Sequence, residues 1–235
     1  MSQQRRLRIL AELAASGPDD VTPGRLCEVT RHVTGVTGAA ITLFANDTPV
    51  GSACTAGPLS ALVEELEFTL GEGPCVDAYR HDRPVLEPDL ANPASPGWVA
   101  FIGPALDAGV RAIFGFPVGV GSARVGSLNL YVDRPGSLTD DQHADALVMA
   151  NVAAEVLLGL QAEGPADVLA PVLDEDSNFH YVVHQAAGML SAQLEVGLAQ
   201  ALVRLRAYSF AAQRPITEVA KEVVDRRLRL SDAEG

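Results

Sequence analysis

The sequence predicts an α+β domain with a largely antiparallel sheet, followed by a small all-helical module. Three observations carry this. Short apolar strand patterns are mixed with helical ones and lack the regular strand–helix–strand rhythm of a parallel sheet. After Pro171 no strand pattern recurs. The 235 residues, 48% of them hydrophobic and 20% charged, are enough for one ordinary core and a second small one.

In order, Arg5 to Ala15 has apolar residues at Leu7, Leu10, Leu13 and Ala14, a helical spacing that ends at Ser16-Gly17-Pro18. A second helix is expected from Pro23 to Val33, with Leu26, Val29 and Val33 on one face. Ala39 to Phe44 then reads as a strand, paired with Pro49 to Thr55 across a turn at Asn46-Asp47. Ser60 to Phe68 has helical spacing at Leu62, Val63 and Leu66, and leads through Gly71-Glu72-Gly73-Pro74 into a helix from Cys75 to Arg80. Pro84 to Leu90 reads as a strand and Trp98 to Ala108 as a helix. Arg111 to Val120 and Arg124 to Tyr131 are strands joined by Gly121-Ser122, which suits a hairpin. Thr139 can cap a long helix that runs to about Ala162.

From Asp174 onward three helices are expected, about Ser177 to Leu194, Gly197 to Gln213 and Thr217 to Leu230. Val183, Ala187, Leu190 and Leu194, then Leu198, Leu202 and Leu205, then Val219, Ala220, Val223 and Val224 recur at helical spacing. Pro215 enforces the last break, because proline disfavours helical geometry in the residue before it.

The formal charge is −13, yet it is unevenly spread. Residues 180–230 hold seven Lys/Arg against four Asp/Glu, so the helical module is locally basic on an acidic chain. Screening over roughly 8 Å lets such a module meet phosphates while the acidic remainder suppresses non-specific binding. Cys27, Cys54 and Cys75 are sparse and odd in number, which argues against a disulfide framework or a zinc site and for three small buried thiols. Cys27 is expected on a surface helix far from the Cys75 turn. His32, His81 and His143 lack metal-ligand spacing, so neither metal nor cofactor is expected. The most apolar stretch, Ala144 to Leu160, is interrupted by Asp145, Asn151 and Glu155, and no signal-peptide core follows the first residues. A cytoplasmic location without a membrane partner is therefore expected.

Two stretches resemble known families. His184-Gln185-Ala186-Ala187-Gly188-Met189-Leu190, then Ala199-Gln200-Ala201-Leu202-Val203-Arg204-Leu205-Arg206-Ala207-Tyr208, then Arg214-Pro215-Ile216-Thr217-Glu218-Val219-Ala220 resemble an ANTAR domain. That family is a three-helix RNA-binding module of bacterial antitermination regulators, and the three pieces fall one on each expected helix. Leu70-Gly71-Glu72-Gly73-Pro74-Cys75, Pro84-Val85, Asp89-Leu90, Trp98-Val99-Ala100-Phe101, Gly109 to Val118 and Gly126 to Tyr131 resemble a GAF domain of the kind that precedes ANTAR modules in actinobacterial proteins. The resemblances imply an N-terminal helix at 1–20, a GAF sensor domain at 21–163 with a central antiparallel sheet flanked by helices, a linker at 164–173 and an ANTAR RNA-binding domain at 174–230.

They further imply a signal-responsive regulator and not an enzyme: a homodimer that binds RNA stem-loops and promotes transcription antitermination. His184, Gln185, Arg204, Arg206, Tyr208, Arg214, Lys221, Arg226 and Arg227 are its candidate RNA contacts; guanidinium groups can clamp phosphates bidentately and stack on unpaired bases. From composition alone the same set reads as a solvated helix face. Many ANTAR modules carry a lysine where this sequence has Ala187, which removes one implied phosphate contact. Cys54, Cys75, Trp98 and Arg111 are the candidate sensor-pocket residues, for a small-molecule or redox signal. Gly71-Glu72-Gly73-Pro74 lacks the spacing and lysine of a phosphate loop and reads as a turn that shapes the pocket wall. Two alternatives stand beside this. Some GAF proteins are thiol-dependent methionine sulfoxide reductases with three cysteines, and the C-terminal helices could serve as a dimerisation or interaction module with a degraded RNA surface.

Overall fold

The computed structural model describes residues 2–15, 21–45, 47–94, 97–163 and 178–230. The expected linker at 164–173, and Asn46 of the first turn, lie outside them. The elements run α1 (Ser2–Ala14), α2 (Pro23–Thr34), β1 (Gly38–Ala45), β2 (Thr48–Ala56), α3 (Ser60–Leu70), α4 (Pro74–His81), β3 (Val85–Glu87), α5 (Val99–Asp107), β4 (Ala112–Val120), β5 (Ala123–Val132) and α6 (Asp140–Glu163). They continue with α7 (Asn178–Leu194), α8 (Leu198–Ala211) and α9 (Ile216–Val224). The chain divides into two compact units: Met1–Phe68 with Glu72–Asp174, and Thr69–Gly71 with Glu175–Gly235.

The first unit is an α+β fold around a five-stranded antiparallel sheet ordered β2-β1-β5-β4-β3. Successive side chains on a strand point to opposite faces. Ala39, Ile41 and Leu43 of β1, Phe114, Phe116 and Val118 of β4, and Leu128 and Leu130 of β5 fill one apolar core with α2 and α6. Helix α1 joins that core through Ile9 and Leu13, while Arg5 and Arg8 each reach the buried Asp145 of α6 at 2.6 Å. By length and composition α6 could cross a membrane, but here it packs on α2, β4 and β5 with Met149, Ala153 and Leu157 buried. Its first turn is a reciprocal capping box: Gln142 N–H donates to Thr139 Oγ1 at 3.2 Å and Thr139 N–H to Gln142 Oε1 at 2.9 Å.

Two expectations are corrected in this core. Cys27 lies not on the surface but fully buried, and it forms a disulfide with Cys54, at a Cα–Cα distance of 6.0 Å. Spacing along the chain could not reveal this, because α2 packs across β1 and β2 and brings residues 27 apart in sequence together. Only Cys75 is a free thiol.

In the second unit α7, α8 and α9 pack pairwise around Val183, Ala186, Leu190, Leu202, Leu205, Val219 and Val223. Helix α9 ends at Val224, not Leu230. Arg226 takes a left-handed backbone (φ 59°), and the N–H groups of Arg227 and Leu228 both return to the Glu222 carbonyl, at 2.8 and 3.1 Å. Such a reversal satisfies carbonyls that a helix end leaves open.

Candidate functional site

The other face of the same sheet buries polar groups. Thr42 of β1, Ser52 of β2, and Ser127, Asn129 and Tyr131 of β5 alternate with the apolar set and are inaccessible to solvent or nearly so. Helix α3 meets them with Ser60, Glu64 and Glu67, spaced four and three residues apart and therefore on one stripe. Of the expected apolar stripe of this helix, Val63 is buried and Leu66 half-buried, but Leu62 is exposed, and Glu64 and Glu67, 4% and 1% exposed, turn inward. The sheet decides this, because its buried Thr42, Ser52, Asn129 and Tyr131 donors need an acceptor and the Glu64 carboxylate supplies it.

Four donors converge on Glu64. Its Oε1 accepts from Asn129 Nδ2 at 2.7 Å and from the Tyr131 hydroxyl, and its Oε2 accepts from Ser52 Oγ at 2.7 Å and from Thr42 Oγ1. Asn129 Nδ2 also donates to Thr42 Oγ1 at 3.0 Å, and Ser127 Oγ to Asn129 Oδ1 at 3.1 Å. Each lone-pair direction of that carboxylate thus has a partner, the condition under which a buried charge is tolerated.

Glu67 is differently placed. Its Oε1 accepts the Cys75 N–H at 2.9 Å in the first turn of α4, which no Gly73 side chain caps. Its Oε2 is buried and has no hydrogen-bond partner among the described residues. Burial, and then the Glu64 carboxylate beside it, push the Glu67 carboxyl well above the usual carboxylate range. Burial, with Glu67 and Glu64 nearby, likewise pushes the Cys75 thiol well up, and burial beside Glu64 pushes up the Tyr131 phenol. A thiol held protonated is a poor nucleophile.

Local sequence builds this corner. Gly73 has φ 137°, and a Cβ there would sit 2.3 Å from Glu67 Oε1, so only glycine lets the carboxyl reach α4. Gly115 of β4 does the same below: a Cβ would lie 2.6 Å from the Pro74 carbonyl. Glu72 starts α5 by accepting the N–H groups of Ala100 and Phe101 at 2.6 and 2.9 Å. The glycine-rich turn therefore places carboxylates at two helix starts.

Of the expected sensor residues, Cys75 and Trp98 belong to this side of the sheet. Trp98 is buried, and its Nε1 donates to Asp77 Oδ2 of α4 at 2.9 Å. Cys54 belongs to the opposite, apolar core through its disulfide. Arg111 uses Nη1 on the carbonyls of Leu106 and Val110, at 2.7 and 2.9 Å. Thr42, Ser52, Glu64, Glu67, Asn129 and Tyr131 were absent from the expected site. Their signal was present in the alternation Ser127, Asn129, Tyr131 against Leu128, Leu130, and in the stripe Ser60, Glu64, Glu67. Among the described residues no cluster of three or more His, Cys, Asp or Glu could hold a metal.

In the second unit Gln185, Lys221, Arg226 and Arg227 are exposed, and His184, Arg204, Arg206, Tyr208 and Arg214 half-buried. Arg214 is drawn to Glu222 by two hydrogen bonds, at 3.1 and 2.8 Å, and Arg227 pairs with Asp225 at 2.5 Å. Ala187 is fully buried on the stripe of Val183, Ala186 and Leu190, so in this chain the position serves packing and offers no surface for a phosphate.

No curated protein matches the chain. Among solved structures, the GAF domain of a phosphoenolpyruvate-protein phosphotransferase from Coxiella burnetii is 14% identical, covering 69% of this chain and 96% of that one, with a TM-score of 0.52. The corresponding domain from Acinetobacter has the same identity and coverage and a TM-score of 0.51. A type II free methionine-R-sulfoxide reductase from Thermoplasma acidophilum is also 14% identical, covering 65% of this chain and 94% of that one, with a TM-score of 0.45. These likenesses concern the fold alone. The GAF domain family model matches residues 24–157, which hold the whole sheet and the carboxylate cluster. The chain accordingly belongs to the GAF family, a family of signal-sensing domains.

Proposed function

We propose that this chain is a signal-responsive RNA-binding regulator, in which the GAF unit senses and the three-helix unit is an ANTAR module that binds RNA stem-loops. The observation that carries the reading is the second unit itself. Each of its three helices bears one piece of the ANTAR-like motif, Val183, Leu190, Leu202, Leu205, Val219 and Val223 face inward while Leu198 of the expected stripe is exposed, and its arginines and Lys221 are exposed or half-buried. Binding near a terminator would favour read-through. Val203 and Phe210, exposed one above the other on α8, offer an apolar face to a second copy, in keeping with a homodimer.

The chemistry of the GAF unit favours sensing over catalysis. A thiol reductase needs an accessible thiolate and a resolving thiol. Here Cys27 and Cys54 are consumed in the apolar core, and Cys75 is buried, its thiol pushed well up first by that burial and then by Glu67 and Glu64 beside it. We assign the sensing role to the Glu64–Glu67 face, where buried polar groups are concentrated.

Fluorescence anisotropy of the purified chain with labelled stem-loop RNAs over a salt series tests the proposal. Binding that weakens linearly in log–log salt is the expected result. Absence of binding at low salt overturns it, and thiol-dependent turnover of free methionine sulfoxide, lost on Cys75→Ser, would restore the enzymatic alternative.

A further inference from the structure

The reversal that ends α9 leaves a groove of about 300 Å³ within the second unit. Met189 and Ala192 of α7 form one wall, Val223 and Leu228 the other, and Arg226 and Arg229 stand at the rim. The volume is at the lower end of small-ligand sites. Its far wall is pinned: Arg226 N–H bonds the Val223 carbonyl at 3.0 Å, and Gln193 Nε2 donates to the Leu230 carbonyl at 2.7 Å. A non-glycine residue held at φ 59° is a strained position of the kind that persists where the surroundings over-determine it.

The rim selects the occupant. Arg226 and Arg229 are both exposed, and among the described residues no carboxylate pairs with either, whereas the neighbouring Arg227 is taken by Asp225. An apolar slot between two open guanidinium groups fits a flat aromatic group attached to anions on both sides. A nucleobase between its 5′ and 3′ phosphates has that form. Met189 adds a polarizable sulfur suited to a π-face, and Gln193, whose amide nitrogen is engaged, keeps its carbonyl oxygen for an exocyclic amine. We infer that this groove receives one unpaired base of a bound RNA loop, with Arg226 and Arg229 on the flanking phosphates. The inference rests on the RNA-binding reading above and adds to it the place where the loop is read.

The test uses the full chain with a pool of stem-loop RNAs of fixed stem and randomised loop, and the same stem closed as a continuous duplex. Ala192 is exposed, so Ala192→Trp fills the groove without entering the core. Affinity for the loop pool should fall about tenfold, the size expected for losing one stacked base, with duplex affinity unchanged. Arg229→Ala should lower the slope of log affinity against log salt by about 0.7, one phosphate contact on a single strand. Loop binding undiminished in Ala192→Trp overturns the groove assignment and leaves the RNA reading standing. A failure of the unmodified chain to bind either RNA overturns the reading itself. Loss of a homodimer in Ala192→Trp, seen by sedimentation with RNA affinity intact, gives the groove to a second copy and also overturns the assignment.

Discussion

The two faces of the GAF sheet are built by the same strands and hold opposite chemistry. Ile41, Leu128 and Leu130 face α2 and α6 in a hydrocarbon core closed by a disulfide; their neighbours Thr42, Asn129 and Tyr131 face α3 and feed a carboxylate. A hydrocarbon face would have stabilised the fold more simply, since buried charges rarely repay their desolvation. The difference teaches that one face holds the fold by close apolar packing and the other by a hydrogen-bonded network centred on one carboxylate.

The comparison can be broken most forcefully at its two centres. Phe116→Ala in the apolar core should cost about 4 kcal/mol by cavity formation, read by urea denaturation. Glu64→Leu, although apolar and of similar size, should cost a comparable amount, about 4 kcal/mol, because four buried donors lose their acceptor. If Glu64→Leu is neutral, the polar face is not a network and the contrast between the faces fails.

Next in size, Cys27→Ala with Cys54→Ala opens the loop between residues 27 apart in sequence and should cost about 3 kcal/mol. Reductant should lower the stability of the unmodified chain and leave the double variant unchanged. Gly73→Ala should cost about 2 kcal/mol, since its Cβ strikes Glu67 at a backbone angle that alanine avoids.

The smallest effect is the most specific. The Glu67 carboxyl binds its proton more tightly in the folded than in the unfolded chain. Its contribution to stability is therefore full below the ordinary carboxylate value near 4.3 and is lost as pH rises through the folded value. Unfolding midpoints measured across this range should decline with pH for the unmodified chain and flatten in Glu67→Gln. A decline of equal slope in the variant would assign the proton elsewhere.

The element order was legible throughout. Strand alternation, proline and glycine breaks and the Thr139 cap are local signals, and the expected strands and helices formed in order, with the end of α9 the largest departure. Less of the site could be read. Cys75 and Trp98 stand in the motif pieces, whereas Glu64 and Glu67 carry no such mark, because a glutamate on a helix ordinarily faces water. The same limit applied to α9, expected to run to Leu230 until backbone hydrogen bonds to Glu222 closed it at Val224.

What the sequence determined by itself was periodicity: which segments are strands or helices, and that residues 180–230 carry helical spacing and a local excess of basic charge. Periodicity is a property of neighbours along the chain. Tertiary structure decided which stripe of α3 turned inward, that Cys27 met Cys54, and that Ala187 became core. Those outcomes depend on what lies opposite each side chain, and a buried donor such as the Tyr131 hydroxyl, 67 residues away in sequence, selects a carboxylate over a leucine only once the sheet has formed.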